Sequence, residues 1–414
     1  MRAARWVSRR CRSTCRSNWK WSSRSSEDSM TRTAEIAGGG IGGLAAGALL
    51  ARQGWRVRVH EQGDEIREIG AGIYIKNNSL EVLEHLGVMR RIEARGTKLE
   101  RAQIRFADGR VKQERQLTGA SRVHTFPRQA LIEGLRDVAR DSGVEILTGS
   151  RVTGAGAGEL HTKDGSHRAD LILAADGVRS AVRESLGIGG GFTELPTLID
   201  RFLIESREFT RELQTVEHWS GNRRIGVTPA GPDHTYVYMV APAADTAAAR
   251  LPLDVADWSR RFPLLRPLFE VLAQAPATQY PYGVVSCPRW AVGNVAILGD
   301  AAHGLPPTLG QGAGLTLMNA LALATLVRDA SDVPAALQAW EKRVRFISDR
   351  TQAWACRYDA FTRQWPTALD FARPLVVWSF GRFRSLNNRM RIADRGLALA
   401  GIHVDTGYSH ADRR

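Results

Sequence analysis

Residues 33–61 read TAEIAGGGIGGLAAGALLARQGWRVRVHE, and their pattern decides the fold. An apolar run from Ala34 to Ala37 leads into Gly38-Gly39-Gly40-Ile41-Gly42-Gly43. A helical pattern follows (Leu44, Ala48, Leu49, Ala51), then Gly54, then an alternating strand from Trp55 to His60 that ends at Glu61. Strand, glycine turn, helix, strand and terminal acid make up a dinucleotide-binding βαβ unit. In that layout Gly38 permits the tight turn, Gly40 lets backbone N–H groups reach a pyrophosphate, and Gly43 lets helix and strand pack closely. The helix N-terminus adds oriented N–H groups and partial positive charge. Glu61, at the tip of the second strand, is placed to accept hydrogen bonds from an adenosine ribose.

The 414 residues are enough for two or three domains with real cores, and 43% hydrophobic with 24% charged residues is ordinary for a globular protein. No apolar run approaches the roughly 20 residues that cross a bilayer. Cys11, Cys15, Cys287 and Cys356 form no CxxC pair and no Cys/His metal spacing, which points to a reduced, cytoplasmic protein without a metal site. Of the formal net charge of +14, residues 1–29 carry a large share, with eight basic groups against two acids. This basic tail has no periodicity. Ser8-Arg9-Arg10 lacks the hydrophobic segment of a twin-arginine signal, and Met30 is the expected natural start. Neither nucleic acid nor membrane is an expected partner, and nothing in the sequence sets an oligomeric state.

Further along, Ser79 to Leu86 reads as a short amphipathic helix. Gln103 to Val111 reads as a hairpin turning at Asp108-Gly109, and Arg128 to Arg140 as a helix opened by Pro127. Asp170 to Ala175 is a largely apolar strand suited to a sheet covered on both faces. After Gly187 to Gly191 the texture changes, and alternating segments between about 197 and 290 predict an antiparallel sheet. Parallel-strand texture returns at Val295 to Leu298, followed by helical patterns from Gln311 to Asp329 and from Val333 to about Tyr358. The expected fold is α/β: a Rossmann-like nucleotide domain (30–190 and 291–365), an inserted antiparallel-sheet substrate domain (191–290) and C-terminal helices (366–414).

Two later segments narrow the reading. In DLILAADGVRSAVR a strand ends at Asp176-Gly177, and in VAILGDAAHGLPPTLGQGAGL another ends at Gly299-Asp300 before Gly310-Gln311-Gly312-Ala313-Gly314 opens a helix. With the first glycine turn, these resemble the three FAD motifs of single-component flavoprotein aromatic hydroxylases, over Thr31 to Arg350. GAGIY, APAAD at 241–245, WSRRFPLLRP and Met318-Asn319-Ala320 are most similar to the subgroup of 2-methyl-3-hydroxypyridine-5-carboxylate and 5-pyridoxate oxygenases. The resemblance implies FAD, with NADH or NADPH as co-substrate. It also implies oxygen insertion from O2 into a small hydroxylated aromatic or N-heteroaromatic acid through a flavin C4a-hydroperoxide. It assigns Gly38, Gly40 and Gly43 to the pyrophosphate, Glu61 to the adenosine ribose, Arg67 and Arg128 to the ribityl and phosphate region, and Asp176 to the pyrophosphate side. Asp300 falls to the ribityl hydroxyls, and Gly312 and Ala313 to the flavin pyrimidine edge.

For the substrate, Arg224 is the candidate for a carboxylate because its guanidinium binds one bidentately. Tyr74 is a candidate for ring or flavin contact, and Pro306 for shaping the backbone over the flavin. His303 reads as a loop brace, Trp219 and Tyr238 as sheet packing, and Val227 stands where an aromatic hydrogen-bonding residue is expected. The WxWxIP of flavin halogenases is missing beyond Trp19-Lys20-Trp21, as is the FxGxxxHxxxW of Baeyer-Villiger enzymes. The alternative function is a flavin-bound redox sensor or nucleic-acid-associated regulator that uses the basic tail.

Overall fold

In a computed structural model, which describes residues 31–67, 70–156, 158–365, 372 and 388–404, strand Thr33–Ala37 lies at the centre of the nucleotide sheet. Arg56–His60 and Leu171–Ala174 flank it in parallel, with Ala34 opposite both Val57 and Leu171. The six strands run Ala291–Val292, Val295–Ile297, Leu171–Ala174, Thr33–Ala37, Arg56–His60, Glu145–Leu147. Only the first pair is antiparallel. Helix Ile41–Ala51 is buried from Gly42 through Leu50, between the sheet and helices Arg128–Asp141 and Gly312–Val327. A helix with neighbours on every side needs no polar stripe, which is why its pattern is apolar all round.

The run read as apolar holds one buried acid. Glu35 is 2% exposed, with Oε2 2.7 Å from His60 Nε2 and Oε1 accepting from Arg58 Nε at 2.8 Å. Burial opposes its ionisation, but the hydrogen bonds from His60 and Arg58 outweigh burial and hold the carboxyl below its usual range. His60 Nδ1 also meets Ser150 Oγ at 2.8 Å, so the polar group is satisfied on both sides.

A seven-stranded sheet runs Thr278–Ser286, Gly191–Ile204, Thr235–Pro242, Arg223–Pro229, Gln214–Ser220, Arg101–Phe106, Val111–Gln116. It is antiparallel as anticipated, except where Gln214–Ser220 pairs in parallel with Arg101–Phe106. The hairpin read locally at Asp108-Gly109 therefore joins this sheet from inside the segment assigned to the nucleotide domain. Its turn is local chemistry, but the long-range pairing is not. Helices Val255–Arg261 and Arg266–Leu272 cover one face and bury Trp258, Phe262 and Phe269 against Ile225, Val227 and Met239. The other face looks toward the nucleotide sheet.

Helix Val333–Arg363, capped by Asp332 Oδ1 on the Ala335 N–H at 2.9 Å, packs along Gly312–Val327. Within 366–414, the described residues hold a 3-10 turn at Ile392–Arg395 and a short helix at Gly396–Leu399. Residues 366–371, 373–387 and 405–414 of that segment and the basic tail 1–29 lie outside the described residues. No helix among the described residues is long and apolar enough to cross a membrane, and no cluster of metal-ligating side chains occurs among them.

The glycines of the turn differ sharply in the space around them. A Cβ on Gly43 would lie 1.9 Å from the Gly38 carbonyl oxygen, whereas one on Gly40 would meet nothing within 4 Å. Gly43→Ala should destabilise the fold by about 1–3 kcal/mol, while Gly40→Ala should unfold close to wild type. Thermal unfolding of the two variants followed by circular dichroism distinguishes these outcomes, and equal losses would contradict the geometry.

Candidate active site

Three strand ends converge on one cavity of ≈ 1250 Å³. That exceeds the roughly 300–1,000 Å³ of ordinary small-molecule pockets and leaves room for a dinucleotide with a second molecule beside it. Gly40 to Gly42 line one end, Asp300 and the loop from Pro307 to Ala313 the middle, and the open face of the seven-stranded sheet the far end. Arg183 ties two of the loops together: its guanidinium donates to Val178 O at 2.8 Å and to Ala301 O at 2.7 Å. Gly299, at φ +68°, turns the chain into the short helix Asp300–His303, a conformation that disfavours any residue with a Cβ.

The cofactor candidates fall into three groups. Gly40, Arg128, Asp300, Gly312 and Ala313 line the cavity. Gly38, Gly43, Glu61 and Asp176 lie behind its wall and shape it. Glu61 accepts from the Gly39 N–H at 2.9 Å and the Gly63 N–H at 2.8 Å, so its carboxylate orders the glycine turn. Asp176 Oδ2 accepts from the Val182 N–H at 3.2 Å, while Oδ1 is buried without a partner. Burial raises the Asp176 carboxyl above its usual range despite hydrogen bonds from Ser180 and the helix start. Arg67 stands apart, its side chain 66% exposed and 3.7 Å from Glu65.

Strand alternation sorts the substrate candidates. Arg224 and Thr228 point to the cavity side, while Val227 belongs to the outer core beneath the helices. The aromatic groups come instead from neighbouring strands and from helix Val333–Arg363: six of the seven tyrosines in the chain (74, 236, 238, 280 and 282 on strands, 358 on the helix) line the cavity. Trp219 and Tyr238, read as packing, are part of this wall. Tyr74 hydrogen-bonds both Thr215 Oγ1 and Thr228 Oγ1, and its ring lies 5.9 Å from that of Tyr236. Burial pushes the Tyr74 hydroxyl well above its usual pKa.

Arg224 is 2% exposed and pairs with Glu217 at 3.2 Å, leaving Nη2 buried without a partner. Burial opposes its charge, yet Glu217 and the surrounding tyrosines hold the guanidinium above its usual pKa. Arg201, not singled out from sequence, lines the same face with its guanidinium 5.2 Å from the Tyr280 ring centroid. The signal for that wall was present in Tyr236-Val237-Tyr238 and Tyr280-Pro281-Tyr282, since a spacing of two places both rings on one face. Lys76 also faces the cavity, donating to Leu309 O at 2.6 Å.

Pro306 is buried behind the loop, and Pro307 is the proline that reaches the cavity. His303 is 2% exposed, packs 5.1 Å from the Trp290 ring and meets Asn319 Nδ2 at 2.9 Å. Burial lowers it to about 4, as suits a neutral brace. His218 is likewise held down to about 4 by burial and Arg105, on the sheet face opposite Glu217.

These residues fit FAD. The open space at Gly40 and Gly312 admits a ligand to backbone N–H groups at two helix starts, and the cavity-lining Arg224 keeps Nη2 unpartnered. The comparisons agree. Residues 30–332 match the FAD binding domain family. The chain is 35% identical over 374 residues to 2-heptyl-3-hydroxy-4(1H)-quinolone synthase of Mycobacteroides abscessus, covering 88% of this chain and 99% of that protein. Tetrameric 2-methyl-3-hydroxypyridine-5-carboxylic acid oxygenase superposes with a TM-score of 0.78 at 31% identity, covering 88% of this chain and 96% of that one. Klebsiella pneumoniae HpxO complexed with FAD and uric acid superposes with a TM-score of 0.76 at 26% identity, covering 88% and 97%. With its three glycine and aspartate loops gathered at one cavity, the chain belongs to the FAD binding domain family and is an FAD-dependent aromatic-ring monooxygenase.

Proposed function

We propose that this monooxygenase consumes NADH or NADPH and inserts one oxygen atom from O2 into a neutral N-heteroaromatic ring, a 4(1H)-quinolone foremost. The observation that carries this reading is the continuity of the cavity from the glycine loops to a tyrosine-lined sheet face. Bound FAD supplies the electron transfer to O2. Gly40, Arg128, Asp300, Gly312 and Ala313 are the residues that would hold it, and the N-terminus of helix Gly312–Val327 would offer its partial positive charge to the pyrimidine edge.

The protein's own part is to orient the ring and exclude water. The tyrosines give stacking and edge contacts at low entropic cost. Arg224 Nη2 is a buried donor suited to a ring oxygen. Its charge is already met by Glu217, so a substrate carboxylate is not needed, and this moves the reading from an aromatic acid to a neutral ring. The tyrosine hydroxyls, with pKa values raised by burial, stay protonated at neutral pH and act as donors. The similarity to a quinolone synthase supports the ring class.

The full chain with FAD and either nicotinamide cofactor should oxidise it faster when 2-heptyl-4(1H)-quinolone is added. The product should be one oxygen atom heavier by mass spectrometry. Stimulation by hydroxypyridine or hydroxybenzoate acids instead, with the quinolone inert, would move the substrate class back to aromatic acids. Peroxide as the sole product from every ring would refute ring oxygenation.

The Arg224–Glu217 pair carries its own test. Glu217→Leu strands a guanidinium that is 3% exposed, and should cost about 3–5 kcal/mol. Glu217→Leu with Arg224→Leu should recover most of that loss in urea denaturation, because no unpaired charge remains buried. A double variant as unstable as the single one would show that the pair is not the cause.

A further inference from the structure

Lys76 closes strand Gly72–Lys76 on the same face as Tyr74 and borders the cavity beside Gly310. A Cβ on Gly310 would lie 3.6 Å from Lys76 Cε. The ammonium donates to the Leu309 carbonyl at 2.6 Å, which fixes it against the loop that opens helix Gly312–Val327. The charged groups around it leave it short of a counter-ion. From the C-terminal segment, Asp394 is engaged twice, by Gln311 Nε2 at 2.6 Å and by Arg391 Nε at 2.6 Å. Arg391 itself and Arg115, from the hairpin, oppose the charge of Lys76. Arg122, from the next loop, is closed off by Glu84 at 2.7 and 2.9 Å. Burial is the largest influence and lowers the ammonium to about 8, with Asp394 pulling the other way.

A half-buried cation and the positive end of a sixteen-residue helix thus flank the same stretch of cavity wall. The group that would relieve both is one that becomes negative during turnover. Hydride transfer from the reduced nicotinamide cofactor brings two electrons and one proton to neutral oxidised FAD. The nicotinamide leaves oxidised, and the reduced ring carries one added negative charge. We propose that Lys76 is the counter-charge for that reduced ring, setting the reduction potential of the bound FAD together with the N-terminus of helix Gly312–Val327. This rests on the reading that places the pyrimidine edge of FAD toward Gly312.

The consequence is a proton coupled to reduction. Below about pH 8 the side chain is an ammonium in both redox states and no extra proton moves. Above it, the amine is neutral beside oxidised FAD and takes one proton from solvent when the neighbouring ring becomes negative.

Spectroelectrochemical titration of the FAD-loaded full chain from neutral to alkaline pH tests this. In the wild type, the slope of midpoint potential against pH should steepen above about pH 8 by one proton per two electrons. Lys76→Met should lower the potential by tenfold or more in the oxidised-to-reduced equilibrium, about 30 mV for each tenfold, and remove the break. Lys76→Arg should keep the potential near wild type but also lose the break, because a guanidinium does not titrate there. An unshifted Lys76→Met potential, or a break that survives in Lys76→Arg, overturns the proposal. If Lys76→Met does not fold, the Lys76→Arg profile decides alone. A second variant separates the two readings: a potential lowered by Gly312→Asp but unchanged by Lys76→Met refutes only the role of Lys76, whereas a potential unchanged by both refutes the placement of the pyrimidine edge.

Discussion

The turn at Gly38 passes so close to helix Ile41–Ala51 and to the end of strand Leu171–Ala174 that backbone meets backbone at both places. A Cβ at Gly38 would lie 2.3 Å from the Ala175 carbonyl oxygen, and one at Gly43 would lie 1.9 Å from that of Gly38. Everything at the nucleotide end follows from this contact. It draws the Asp176-Gly177 loop against the first glycine turn, and Arg183 then fastens that loop to the one beginning at Asp300. Three segments far apart in the chain are thereby held around one cavity mouth. Gly40 is left facing open space because the glycines on either side are spent on packing.

At the far end the controlling constraint is electrostatic. Two guanidiniums of the sheet face, those of Arg224 and Arg201, sit in surroundings made mostly of tyrosine. A buried charge without compensation is costly, and the two are stabilised differently: Arg224 by the Glu217 carboxylate, Arg201 by the rings and hydroxyls of Tyr236, Tyr280 and Tyr282. Burial still works against both. The result is a face rich in hydrogen-bond donors whose strongest cation already has an internal partner. Such a surface suits a flat ring bearing an oxygen acceptor, and it keeps water away from the chemistry.

Met318-Asn319, part of the subgroup resemblance, have packing duties in the structure. Asn319 bridges His303 and Ser348, and its carbonyl accepts from Trp340 Nε1 at 2.9 Å. Met318 lies so close to Gly396 that a Cβ there would sit 2.2 Å from its Sδ. These contacts support the loop from behind, which is why His303 is a neutral brace and has no access to the cavity.

The nucleotide half was legible from sequence because its rules are local. Glycine at a turn, an apolar strand before it, a helix after it and an acid at the next strand end are contiguous features with one steric meaning. The type of the inserted sheet was legible too, since alternation has a period of two. Which face of that sheet meets the cavity was not, because alternation is symmetric until something covers one side. Helices Val255–Arg261 and Arg266–Leu272 break that symmetry, sending Val227 to the outer core and Trp219 and Tyr238 to the cavity. The parallel pairing of Arg101–Phe106 with Gln214–Ser220 joins segments more than a hundred residues apart, and no short-range signal encodes it. By itself the sequence determined that this chain binds a dinucleotide, because that depends on backbone shape written in glycines, and its three loop motifs carried the resemblance that implied FAD and ring oxygenation. Only the tertiary structure decided that Arg224 has Glu217 as partner, that six tyrosines share a wall and that Lys76 stands beside Gly310, because those neighbours are set by strand pairing and burial.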